Sequence, residues 1–400
     1  MEKNRPSQNI VLIMTAGFWY MFCSMSTAPI IAGYAESAGA SSLSMGIISA
    51  LITVSAMVCR PITGNLVDRI NRLYMVLTGC LLMIAACAGY ILFPVVWCIA
   101  VFRVLHGIGY ACCSIAMSTW ITLLLPPEKM KSGVGLYGTI NALAMAVAPA
   151  VSIRIKNYLG YQWSFLLAAV SALICIILVI FISDRCPVSR QEEKRERFSL
   201  RKLAAPHVIP IALLLAIISI PYTANKAFLV SYVEKAGLQM QPDLFFTFYA
   251  VILVLLRVLL RRSYDRIEYP RFVVFCSISM LFSMACLFFM RGYMPLLLGA
   301  VFMAAGYGVM YSVSQSAAAA AVPAGQRGLA MATYYLGLDM GSALGPFVGG
   351  ILYGAPDIRL FYPLLALFAA ASLLLGFLFG QGRRKDARPE ISADTKKLMK

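Results

Sequence analysis

Ionisable side chains stranded in apolar sequence are the part of this chain equipped for chemistry. Arg103, His106, Lys226 and Asp339 each lie deep in a long apolar stretch, with Arg60 and Arg257 nearer the ends of two others. A charge at the centre of a membrane helix costs about 2.5–3.5 kcal/mol on the insertion scale, so each needs a partner or a water-filled cavity. At helical spacing Arg103, His106 and Tyr110 fall at i, i+3 and i+7; Tyr222 and Lys226 share a face at i, i+4, as do Tyr307 and Tyr311, and Tyr335 and Asp339. Arg and Lys hold anions, His and Asp take up and release protons, and Tyr offers a stacking face and a hydroxyl. Asp339, the one carboxylate deep in a stretch, is the default proton site. Each residue also has a structural reading: Arg103 tying down neighbouring carbonyls, His106 neutral and hydrogen-bonded, Lys226 paired with Asp339, the tyrosines as packing. Two cations against one carboxylate point to anionic or zwitterionic ligands.

Composition defines the elements that must carry these residues. The 400 residues are 60% hydrophobic and only 13% charged, with a mean hydropathy of +0.80. About a quarter of the residues in an ordinary soluble domain are charged. About twelve stretches reach the roughly 20 apolar residues that a membrane helix needs. They lie near 10–33, 43–66, 73–93, 96–125, 132–153, 163–183, 207–233, 243–260, 272–290, 294–321, 328–353 and 360–380. The first is too long for a signal-peptide core. Backbone in lipid must satisfy its own hydrogen bonds, so the expected fold is an all-α bundle of 12 transmembrane helices.

A polar signature occurs twice, 197 positions apart. Arg60-Pro61-Ile62-Thr63-Gly64-Asn65-Leu66-Val67-Asp68-Arg69-Ile70 matches the run from Arg257 to Asp265-Arg266-Ile267. Pro149 falls on Pro346 at the same offset, and Ala148 on Gly345. The repeat predicts two pseudo-symmetric six-helix bundles around a central path. Residues 1–183 and 207–380 would be the bundles, with a mixed-charge linker at 184–206 and a polar tail at 381–400 expected to be disordered.

The net charge of +17 is read as a topology signal. Lys and Arg crowd the loops on one side (Arg69 and Arg72, Lys129 and Lys131, Arg185 to Lys202, Arg261 to Arg271), together with both chain ends. Both termini are therefore expected in the cytoplasm of a multi-pass cytoplasmic membrane protein. Basic residues scattered over short loops do not suit a nucleic-acid binder. The eleven cysteines lie nearly all inside spans and none has metal-ligand spacing. No nucleophile set or phosphate-cradling loop is visible, and the loops are too short for a catalytic domain. The expectation is a non-enzyme with no cofactor or metal, whose partners are a small-molecule substrate, protons and the bilayer, and which acts as a monomer.

Several motifs resemble one family. Gly64 to Arg72 is similar to the Gly-x-Leu-x-Asp-Arg-x-Gly-Arg signature of the major facilitator superfamily between spans two and three, with Asn71 at the second glycine. Arg103-Val104-Leu105-His106-Gly107-Ile108-Gly109 looks like its span-four motif. The glycine–proline motif of drug/proton antiporters is weakened around Pro149 and intact in span eleven, as Gly341, Gly345, Pro346, Gly349 and Gly350. The resemblance covers residues 8–380. It implies the 12-span antiporter (efflux) branch, and spans one, four, seven and ten lining a central cavity with Arg103, His106, Lys226, Tyr307 and Tyr311 around it; Tyr110 and Tyr222, on the same helix faces, and Asp339 complete the expected substrate-path and coupling set.

These readings combine into one expectation. The chain is a secondary transporter moving a small molecule by alternating access, as proton-coupled efflux; the alternative is proton-coupled uptake of a small anionic metabolite. Gly64, Asp68, Arg69, Arg72, Asp265 and Arg266 would form a cytoplasmic gate, in which Asp68 meets the N-terminus of span eleven. A purely topological role for these loops, and a purely packing role for the span-eleven glycines, stand beside that reading.

Overall fold

The computed structural model describes residues 5–67, 70–125, 130–182, 205–259, 269–322 and 327–386, and the regular elements among them are all helical. The first series is α1 (Arg5–Thr27), the short α2 (Ile31–Ser37), α3 (Ser42–Leu66), α4 (Arg72–Leu92), α5 (Val96–Leu124), α6 (Met130–Leu159) and α7 (Tyr161–Ile180). The second is α8 (Ile209–Lys235), α9 (Asp243–Leu259), α10 (Tyr269–Phe288), α11 (Tyr293–Met303), α12 (Val309–Ala320), α13 (Arg327–Tyr353) and α14 (Phe361–Asp386). Among the described residues, ten helical stretches are long and apolar enough to cross a membrane. α9 and α13 occupy the two remaining stretches expected from the sequence.

The two series keep one register. Arg72 and Tyr269, Val96 and Tyr293, and Met130 and Arg327 each open a helix, and each pair is 197 residues apart. Neighbours repeat as well: α1 packs on α6 as α8 does on α13, and α4 on α7 as α10 does on α14. The outer surface is apolar, with Val58, Leu81, Val101, Ile177 and Phe282 all exposed. A soluble protein rarely presents so much contiguous apolar surface, whereas lipid leaves it covered.

Local chemistry sets the helix ends. Ser41 caps α3 by accepting from the Ser44 amide at 3.3 Å. Asn71 caps α4, its Oδ1 accepting from the Leu73 amide at 3.0 Å. Asn71 is therefore not in the left-handed turn its place in the motif allows; its φ is −57°, and a capping side chain does the glycine's job of starting the helix. The turn after α8 is left-handed, with Gly237 at φ 65° and the Leu238 amide bonded back to the Val233 carbonyl.

α13 is held on two sides through glycine. A Cβ at Gly345 would lie 2.7 Å from the Ile220 carbonyl on α8, and one at Gly350 would lie 2.8 Å from Gly46 Cα on α3. Gly341 and Gly349 continue the α8 seam, and the Pro346 carbonyl faces Gly46. Without side chains between them the backbones approach closely, and in lipid this packing takes the place of the hydrophobic effect.

Candidate functional site

Between the two series lies a cavity of about 840 Å³. Its wall comes from α1, α3, α5 and α6 on one side and from α8, α9, α13 and the α11–α12 span on the other. It is open at the end where α1 begins: Ser118 and Ser316 line it there and are exposed. The opposite end is tied across the two series. The Tyr353 hydroxyl donates to both Glu36 oxygens, at 3.0 and 3.1 Å. Lys156 pairs with Glu234, and Arg154 lies 3.9 Å from Asp243.

Arg103, on α5, is 1% exposed and lines the cavity. Its Nη1 donates to Thr27 Oγ1 at 2.9 Å, and its buried Nε has no partner. Tyr110 lines the same wall two turns on. His106 does not reach the cavity. It is fully buried, stacked 6.2 Å from the Tyr90 ring, with Nε2 3.5 Å from Ser24 Oγ and Nδ1 unpartnered. The i+3 position is rotated about 60° from Arg103, enough to turn the imidazole into the packing behind the wall.

Lys226 and Tyr222 line the facing wall from α8, with Nζ 5.7 Å from the Tyr222 ring centroid. Tyr222 stacks on Tyr307 at 3.9 Å and 10°. Tyr307 sits in a π-helical stretch, Ala304–Gly308, joining α11 to α12. Such a wide turn reorients its side chains and often marks a functional site. Tyr311 follows one turn later, 6.4 Å from Tyr307.

Asp339 is 5% exposed and pairs with Arg60, not Lys226. Arg60 Nη2 donates to Oδ1 at 3.2 Å, and Nε lies 2.9 Å from Oδ2 as an ion-pair contact without hydrogen-bond alignment. The pair stitches α3 to α13. A Lys226–Asp339 ion pair, expected as one structural reading, is thus replaced, because the α3–α13 seam brings the closer cation.

Sequence reasoning missed Tyr20, Tyr137, Asn141, Tyr249 and Gln315, all of which line the cavity. Tyr20 and Tyr137 meet hydroxyl to hydroxyl at 3.5 Å, and Gln315 donates to the Tyr335 hydroxyl at 3.2 Å. Their signal was present only as polar residues in apolar helices, and these include many packing hydroxyls. Of the expected gate, Asp68, Arg69, Asp265 and Arg266 lie outside the described residues. Gly64 has open space beside it. Arg72 opens α4 with a buried, unpartnered Nε.

Comparison with known proteins agrees with this architecture. A family model for the Major Facilitator Superfamily matches residues 13–294 and 243–399. The staphylopine export protein of Staphylococcus aureus is 20% identical over 364 residues, covering 85% of this chain and 88% of that protein. Multidrug resistance protein 2 of Bacillus subtilis is 20% identical over 400 residues, covering 94% and 96%. Among solved structures, a peptide transporter POT in complex with sulfate superposes with a TM-score of 0.77 at 15% identity over 95% of both chains. The nucleoside transporter NupG superposes with a TM-score of 0.75 at 13% identity, over 93% of this chain and 99% of that one. The chain is a multi-pass membrane protein, a transporter rather than an enzyme, and it belongs to the Major Facilitator Superfamily.

Proposed function

We propose that this protein is a secondary transporter that exports a small molecule across the cytoplasmic membrane in exchange for protons. In this reading the chain has 12 spans in two six-helix bundles, acts as a monomer, and keeps both termini in the cytoplasm. The observation that carries the reading is the cavity between the two series, open at one end and tied shut at the other. Excess Lys and Arg at the open end support reading it as the cytoplasmic side.

Alternating access then has a physical content. Opening the far side breaks the Tyr353–Glu36, Lys156–Glu234 and Arg154–Asp243 ties. Closing the near side brings together α5, α6, α12 and α13, where Asp68 and Arg69 would form part of the seal. Substrate docks against Arg103, Lys226 and the Tyr222–Tyr307 stack. Asp339 is the proton carrier: protonation removes the charge that holds Arg60 and loosens the α3–α13 seam. His106 packs behind the wall against Tyr90 and supports it.

The test is flux into or out of proteoliposomes with an imposed pH gradient, using a panel of aromatic and anionic solutes. Proton entry should drive solute outward and Asp339→Asn should abolish that coupling. Solute moving with the proton would overturn the direction; flux indifferent to pH would overturn the coupling.

A further inference from the structure

The cavity wall carries four cations, Arg60, Arg103, Lys226 and Arg257, against a single carboxylate among the described residues, Asp339. That carboxylate is already held by Arg60. Among the described residues the remaining cations have no acidic partner. Arg103 reaches Thr27, Lys226 sits near the Tyr222 ring, and Arg257 has a buried Nε with no partner. An uncompensated cluster of positive charge within a bilayer is costly, and water in an open cavity only partly relieves it.

The internal repeat shows where a compensating acid would stand. Arg257 stands 197 residues after Arg60, and Asp339 stands 197 residues after Ala142. Ala142 and Arg257 line the same cavity on α6 and α9, which pack together as α3 and α13 do. One seam therefore carries an arginine–aspartate pair. In its counterpart the arginine is kept and a methyl group stands in the place of the acid. The same cavity is lined by Tyr222, Tyr249 and Tyr307, with Tyr222 stacked on Tyr307 at 3.9 Å and on Tyr249 at 5.4 Å, so aromatic surface shares the wall with these cations.

We infer that the cavity takes a soluble organic dianion with a planar or apolar body, one acidic group held by Arg103 and Lys226 and the other by Arg257, the ligand supplying the carboxylate that position 142 lacks. The inference rests on the transport reading for its purpose but on the charge arrangement for its chemistry. A guanidinium holds a carboxylate by two parallel hydrogen bonds, so Arg257 discriminates a second acid from a neutral group.

The test uses the full-length protein in phosphatidylcholine nanodiscs, which hold no anionic headgroup. Isothermal titration compares isophthalate, terephthalate and glutarate with benzoate and benzyltrimethylammonium. At least one dianion should bind about tenfold or more tightly than benzoate, as one extra charge-assisted pair implies. Arg257→Gln should remove the dianion's advantage, so that the variant binds that dianion no more tightly than it binds benzoate. Ala142→Asp should do the same while raising the melting temperature, because it pairs Arg257 internally; Ala142→Asn should do neither. If no dianion exceeds benzoate, or the ammonium probe binds best, the inference falls. It falls equally if the dianion preference survives both Ala142→Asp and a folded Arg257→Gln. Dianion binding that depends on Arg257, with no flux of that dianion in proteoliposomes, would uphold the site and sink the transport reading.

Discussion

Tyr353 and Glu36 lie 317 residues apart, yet the phenol of one bridges both carboxylate oxygens of the other, at 3.0 and 3.1 Å. The contact joins α2 to α13 at the closed end of the cavity. Tyr353→Phe keeps the ring and removes the donor. A charge-assisted bond is worth about 1.5–3 kcal/mol, so the ratio of closed to open molecules should fall by about tenfold or more. Hydrogen exchange across Ile31–Ser37 should quicken accordingly; unchanged exchange would mean that the other two ties hold the end alone.

The Arg60–Asp339 pair is a stability element as well as a coupling candidate. Asp339→Asn leaves Arg60 facing an amide. Because the Arg60 side chain is 28% exposed, solvent offsets part of the loss, and a cost of about 1–3 kcal/mol is expected from thermal unfolding. Arg60→Gln in that background should add little, since its partner charge is already gone. Additive losses in the double variant would show that the two side chains act independently.

Glycines that look alike in the sequence should respond in opposite ways. Gly345→Leu drives a side chain into the Ile220 carbonyl and should cost about 1–3 kcal/mol or prevent folding. Gly64→Ala meets open space within α3 and should be neutral or stabilising by up to about 1 kcal/mol. Melting temperatures of the two variants decide it.

The Tyr222–Tyr307 stack should be felt by aromatic substrates. Tyr222→Phe retains the stacking face, whereas Tyr222→Ala removes it and about 0.5–1.5 kcal/mol of ring–ring interaction beyond the lost area. KM for an aromatic solute should rise with Ala and hold with Phe. Equal effects of the two would assign the work to the hydroxyl.

His106 separates packing from proton transfer. His106→Gln should lower the melting temperature, since the imidazole is fully buried against Tyr90, while the pH profile of transport keeps its shape. A flattened profile in a folded variant would return His106 to the proton path.

Much of this protein is legible in its residues taken alone. Apolar runs long enough to span a bilayer are local, so the all-helical, membrane-spanning character follows from composition and period. The doubled Arg60 and Arg257 signatures announced a spacing of 197 that the helix starts repeat. Arg103, Lys226 and Asp339 were marked by the cost of charge in lipid. What the chain read in order does not contain is who meets whom. Arg60 finds Asp339 across 279 residues because glycines on α3 and α13 let those backbones touch. A rotation of about 60° along α5 sends His106 into the packing while Arg103 faces the cavity. Tyr20, Tyr137 and Tyr249 come to line one cavity only because helices from both series converge on it. Helical periodicity gives each residue a face, and helix packing decides what that face sees.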